Sequence, residues 1–328
     1  KGGMPTISFR DLVIQKERND LVAASFGRGF FIFDDFSPLR EVTEEKLKEE
    51  ASLYPVRDAW QYSMRSGPNN KSIGNWSAEN PDYGAVITYH LAESYPTKKS
   101  QRMKEEGKLK KENEPLTFPE WEVLKEERLE EKPKIWLTIR DEAGRVVRKI
   151  QAKSGKGFHR LAWDLRYPAW GAIDIHRESS SRSWQRSGMS VMPGTYTVTL
   201  SKEIEGKITE LAGPVEFNVV KLYEGALPGN TPVEMQAFRK EVNLLREAIS
   251  AADITLGESE KKLTGMGTAL SRIPQPVGGL YEEYYLLKRG LAELKESAYG
   301  DPAKRELSEY SYPSIDQRLG CASGGAWN

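Results

Sequence analysis

The sequence predicts a mixed, mainly β chain closed by an antiparallel helical hairpin, and three observations carry the prediction. Residues 6–40 hold three short apolar runs parted by turn residues. From about residue 56 to 220, aromatic and β-branched residues recur with a period of two, and beyond Tyr223 the apolar period lengthens to about three and a half. With 328 residues the chain has room for more than one core.

Taken in order, residues 7–14, 20–26 and 29–34 read as the strands of an antiparallel meander. Arg18-Asn19-Asp20 and Gly27-Arg28-Gly29 supply its turns, because Asn, Asp and Gly accept the left-handed backbone of tight hairpins. Three short strands bury little area and leave two edges, so residues 1–40 read as a partial blade that needs other sheets to pack against. Residues 41–57 carry Glu44, Glu45, Lys46, Lys48, Glu49 and Glu50 ahead of Pro55, and read as a charged linker helix that the proline ends.

Residues 58–222 are expected to form an immunoglobulin- or fibronectin-like β-sandwich. Alternating runs at 86–91, 135–140, 146–150 and 196–200 suit half-buried strands, and Asp141-Glu142-Ala143-Gly144 is a hairpin turn between two of them. Trp163 is expected in the core, since one indole fills roughly 150–250 Å². Residues 97–134 interrupt the strands with 21 charged side chains, 11 positive and 10 negative. They read as a solvated helical insertion in two parts, broken by prolines and anchored by Phe118 and Trp121.

Residues 223–300 are the predicted hairpin. Met235, Phe238, Val242, Leu245, Ile249, Ala252 and Leu256 follow 3,4 spacing, which Leu263, Met266 and Leu270 continue. Thr231, Pro232 and Glu234 spell a capping box with proline at the first helical position, and Pro274 and Pro276 end the helix. Leu280, Tyr284, Leu287, Leu291, Leu294 and Ala298 repeat likewise, so the second helix is expected to bury its stripe on the first. Residues 301–328 are polar and expected to be irregular.

The charge balance, 48 basic against 48 acidic residues, argues against binding nucleic acid. No apolar run approaches the ~18 residues of a membrane span. Cys321 is the one cysteine, which excludes an intrachain disulfide or a multi-cysteine metal site. His90, His159 and His176 stand apart, without metal-ligand spacing, so neither a metal nor a cofactor is expected. There is no Gly-x-Ser-x-Gly elbow and no phosphate loop. A glycosidase needs two carboxyl groups about 5–9.5 Å apart; Asp34, Asp35 and Asp164 are available, but Asp34 and Asp35, adjacent in a strand, would point to opposite faces. No catalytic residue is therefore assigned.

One connection invites a ligand. Residues 167–192 carry Tyr167, Trp170, Ile173, Ile175, His176 and Trp184, and aromatic platforms beside polar groups are surfaces on which sugar rings or peptides stack. Tyr167, Trp170 and Trp184 are the candidate binding residues. The competing expectation is that Trp170 and Trp184 plug a junction between units.

The run from Asp20 to Leu39, with Ser25-Phe26-Gly27-Arg28-Gly29-Phe30 at its centre, resembles the last propeller blade of BNR-repeat, sortilin-type β-propeller proteins, often labelled glycosyl hydrolases. Pro81-Asp82-Tyr83-Gly84, Trp163-Asp164-Leu165-Arg166-Tyr167-Pro168, Met192-Pro193-Gly194-Thr195-Tyr196 and Tyr312-Pro313-Ser314-Ile315 are similar to the region that follows the propeller in that family. The Asp-box that defines BNR repeats does not occur in these residues. The resemblance implies a non-catalytic C-terminal scaffold or interaction module of a bacterial, extracytoplasmic propeller protein. Its partners would be the remaining blades and a protein, peptide or glycan ligand. The alternative it implies is an accessory part of a glycoside hydrolase whose active site lies in the propeller.

Overall fold

The computed structural model describes residues 6–27, 29–62, 81–169, 171–175, 187–223, 231–275, 278–310 and 313–323. The fold is mixed α/β, with several sheets, one curled as a half-barrel, and a C-terminal helix pair. The chain divides into two compact units, Lys1–Arg166 with Pro193–Glu224, and Tyr167–Met192 with Gly225–Asn328.

The first unit opens with an antiparallel meander of β1 (Phe9–Gln15), β2 (Asp20–Ser25) and β3 (Phe30–Phe33). Asn19 turns with φ 54°, and Gly27 and Gly29 with φ 75° and 79°, the left-handed values that this turn chemistry demands. A 3₁₀ turn (Ser37–Glu41) and α1 (Glu44–Lys48) follow. The linker helix is shorter than residues 41–57. Thr43 caps it, and the chain is already extended at β4 (Ala51–Leu53), whose pairing with a neighbouring strand outcompetes a polar helix with no apolar stripe.

Two further sheets follow. One has the order β4-β6-β9, with β6 at Ala85–Leu91 and β9 at Gly157–Trp163. The other has the order β5-β13-β12-β7-β8, from β5 (Ala59–Gln61), β7 (Lys134–Asp141), β8 (Val146–Ala152), β12 (Gly194–Ile204) and β13 (Lys207–Lys221). Their shared core is aromatic and aliphatic. Trp163 on β9 is fully buried and meets Tyr196 and Phe217 edge-on, with centroids 5.4 and 6.2 Å away. Ile87, Leu91, Ile135, Leu137, Ile139, Val198 and Leu200 are likewise at 0% exposure. The period-two pattern therefore reports the inward rows of β6, β7 and β12. Gly84 enters β6 where an added Cβ would lie 1.9 Å from the Trp163 carbonyl oxygen, so only glycine lets the two backbones meet.

Between β6 and β7 stand α2 (Lys98–Lys111) and α3 (Trp121–Leu129). Phe118 and Trp121 do not anchor them: they touch each other at 5.8 Å but remain 71% and 78% exposed. A polar clamp holds the pair instead. Arg102 donates to both Glu127 carboxylate oxygens, at 2.6 and 2.8 Å, and also pairs with Glu106. The guanidinium holds the Glu127 carboxyl below its ordinary value. Too few apolar residues lie in this stretch to cover two aromatic rings.

The second unit contains β10 (Arg166–Pro168) paired with β11 (Ser187–Ser190), then α4 (Pro232–Ser271) and α5 (Leu280–Tyr299). Both halves of the capping box are present: Thr231 accepts from the Glu234 amide and the Glu234 carboxylate accepts from the Thr231 amide. The helices run antiparallel, as shown by Tyr281 Oη to the Leu270 carbonyl, Lys295 to Glu260, and Tyr299 Oη to Asp253. The predicted seam is only half realised. Val242 is buried, but Phe238, Leu245, Met266, Leu280, Leu287 and Leu294 stay exposed, because one neighbour covers one side of a stripe. The tail is not wholly irregular either: α6 (Pro302–Glu306) is capped by Asp301, and α7 (Ile315–Ser323) packs on α4 and α5.

Candidate interaction surface

Of the three aromatic residues proposed to bind a ligand, the structure describes Tyr167, half-buried on β10. Trp170 and Trp184 lie outside the described residues, as does His176. What surrounds Tyr167 is tightly built. Gly188 on β11 passes so close that a Cβ there would sit 2.1 Å from the Pro168 carbonyl oxygen. The Ala172 amide donates to Ser250 Oγ of α4 at 3.2 Å, tying the loop to the long helix. Beyond that tie Ile173 and Ile175 stand 89% and 81% exposed. The loop thus presents apolar side chains from a fixed base.

Two of the carboxylates considered for glycoside chemistry, Asp35 and Asp164, have structural partners. Asp35, buried and at φ 45°, accepts from the Ser37 amide and hydroxyl, and its own amide donates to Asp20 at 2.9 Å. Asp164 accepts from the Arg166 amide at 3.2 Å and closes the turn at Leu165. Arg160 donates to the Asp34 carbonyl. Among the described residues no group of three or more His, Cys, Asp or Glu side chains is arranged to hold a metal ion.

Sequence reasoning missed a buried polar cluster on one face of the β4-β6-β9 sheet. Ser52 pairs with His90 across the strands, and the Tyr54 amide donates to the Thr88 carbonyl, so these side chains share that face. Tyr54 Oη, Thr88 Oγ1 and His90 Nδ1 are buried there without a hydrogen-bond partner among the described residues. Burial, then the charges of Lys156 and His159, push His90 below its ordinary value. Only Ser52 finds a partner, donating to the Lys46 carbonyl at 2.6 Å. Period-two alternation marks which residues share a face but not what covers it.

The meander exposes apolar side chains on both of its faces. Register places Val13, Val22 and Ile32 in one cross-strand row and Ile14, Leu21 and Phe33 in the next, pointing the opposite way. Val13, Ile32 and Phe30 are exposed on one face, Leu12, Ile14 and Phe33 on the other. Arginines attach the meander to the rest of its unit: Arg57 donates to the Arg18 carbonyl, Arg18 lies 3.9 Å over the Trp60 ring, and Arg160 lies 5.8 Å over Phe33. Strands that are apolar on both faces are the mark of a sheet covered on both sides.

Among the described residues no helix is long and apolar enough to cross a membrane. Comparison with protein-family models, with curated proteins and with solved structures finds no match to this chain.

Proposed function

We propose that this chain is a non-catalytic C-terminal scaffold and interaction module of an extracytoplasmic β-propeller protein of the BNR-repeat, sortilin-type kind, serving a protein, peptide or glycan ligand. The two-faced apolar meander carries the reading. Propeller blades stack face to face, so each needs apolar side chains on both surfaces, as Val13, Phe30 and Ile32 oppose Leu12, Ile14 and Phe33 here. A free-standing antiparallel sheet would instead alternate apolar and polar.

The finer reading of the two larger sheets is an immunoglobulin- or fibronectin-like sandwich. Strand order supports it: the chain leaves β6 for β7 and β8, returns to β9, then crosses again to β12 and β13. The residues that carry the family resemblance build that core, since Gly84 lies against Trp163 and the Trp163 indole donates to the Arg166 carbonyl at 3.0 Å. On this reading Tyr167 and the exposed Ile173 and Ile175 offer a ligand surface.

Two measurements test the proposal. Screening the chain for reducing-sugar release from polysaccharides should give no turnover, and turnover lost on Asp164→Asn would overturn the non-catalytic role. Val13→Thr with Ile32→Thr should lower binding of a hydrophobic dye to this chain. In a polypeptide that carries the propeller, the same pair should cost about 1–3 kcal/mol, and no cost there would overturn the blade assignment.

A further inference from the structure

We propose that a second copy of this chain closes the open side of the α4–α5 pair, forming a two-fold bundle of four helices. The inference is independent of the propeller reading. It starts from how incompletely α4 covers the stripe of α5. Tyr284 meets α4, where Gly267 would touch its hydroxyl if it carried a Cβ, but Leu287, Leu291 and Leu294 line a groove of about 670 Å³ that stays open beside Leu263 and Met266 of α4. Two helices that leave an apolar groove along their seam are half of a four-helix bundle.

The groove is apolar in its floor and charged at its rim. Leu263 and Met266 of α4 and Leu286, Leu287 and Leu294 of α5 line it, with Lys262 on one lip and Glu293 on the other. An isologous docking about an axis along the helices sets α4 of each copy on α5 of its mate, so the Lys262 lip of one meets the Glu293 lip of the other. Among the described residues the Glu293 carboxylate pairs with exposed Arg289, a contact that is readily exchanged. Met266, Leu286, Leu287 and Leu294 are 49–64% exposed, apolar surface that a facing helix pair would cover.

Gly290 adds a second signal. It sits at mid-α5 on the groove lining with nothing within 4 Å of a built Cβ, in a helix interior where glycine is about 0.5–1 kcal/mol worse than alanine. Open space above a costly glycine suits close approach of a facing helix.

Sedimentation of the full chain across roughly 1–100 µM should show a reversible monomer–dimer equilibrium. Leu287→Glu with Leu294→Glu should weaken it by at least about tenfold. Gly290→Arg should weaken it similarly while raising helical stability, so unfolding cannot account for the loss. A chain that stays monomeric throughout this range overturns the proposal, as does a dimer that these variants leave intact. A dimer lost only with Val13→Thr and Ile32→Thr assigns the contact to the meander and overturns it too.

Discussion

The facing sheets, antiparallel except at the β5 edge, and the antiparallel helix pair are both announced by periodicity, yet they bury their patterns very differently. Ile135, Leu137 and Ile139 along β7 are completely enclosed, whereas Leu280, Leu287 and Leu294 along α5 are each 44–61% exposed. The difference lies in the neighbours. An inward row of β7 meets β8 and β12 at its sides and a second sheet over its face, while α5 has α4 and one short helix. Period identifies a face that wants cover, and the number of packed elements decides how much it receives.

The sharpest way to break the comparison is at the centre of the sheets. Trp163→Ala should cost about 3–5 kcal/mol in urea unfolding followed by near-ultraviolet circular dichroism, with the far-ultraviolet helical signal lost separately. A cost near zero would mean that the two sheets do not share one core. Next come paired truncations of one chemistry. Leu137→Ala should cost about 2–5 kcal/mol, and Leu294→Ala, in dilute protein, no more than about 0.5 kcal/mol. Equal costs would erase the contrast.

Smaller effects sharpen it. Thr231→Ala removes one half of the capping box and should destabilise α4 by about 1 kcal/mol, read as faster amide exchange in its first turn. Arg102→Ala should speed exchange in α2 and α3 while leaving the unfolding midpoint of the sheets unchanged, because the clamp lies within the insertion. The smallest effect concerns pH. His90 has a folded value below its ordinary 6.5, so the unfolded chain takes up the proton first as pH falls. Stability from this residue is present above about pH 6.5 and declines as the pH drops from there toward the lowered folded value. His90→Gln should flatten that slope in urea midpoints measured between about pH 5 and 7.5.

Much of this architecture was legible in the residues. The turns at Asn19, Gly27, Gly29 and Gly144 adopt the left-handed backbone that their types favour, and α4 begins at its capping box. Strands without a strong alternating pattern were not legible. β4 has only three residues, inside a charged segment, and β5 gains its place by pairing parallel with β13, a partner about 160 residues away. The insertion misled in the opposite sense. Phe118 and Trp121 look like anchors by type, but charge pairing on Arg102 had already fixed the helices. Of the candidate ligand residues only Tyr167 is placed, and its setting depends on contacts of Gly188 and Ser250 far along the chain.

By itself the sequence determined local conformation: where the backbone turns, which face of each strand or helix is apolar, and where α4 starts. These follow from dihedral preference and side-chain period, which act over a few residues. Tertiary structure alone decided which faces meet. It enclosed Trp163 between sheets, left Val13 and Ile32 bare, and turned Leu287 and Leu294 toward an open groove. Burial depends on atoms brought together from distant parts of the chain, and nothing in a short window of residues specifies which of them will arrive.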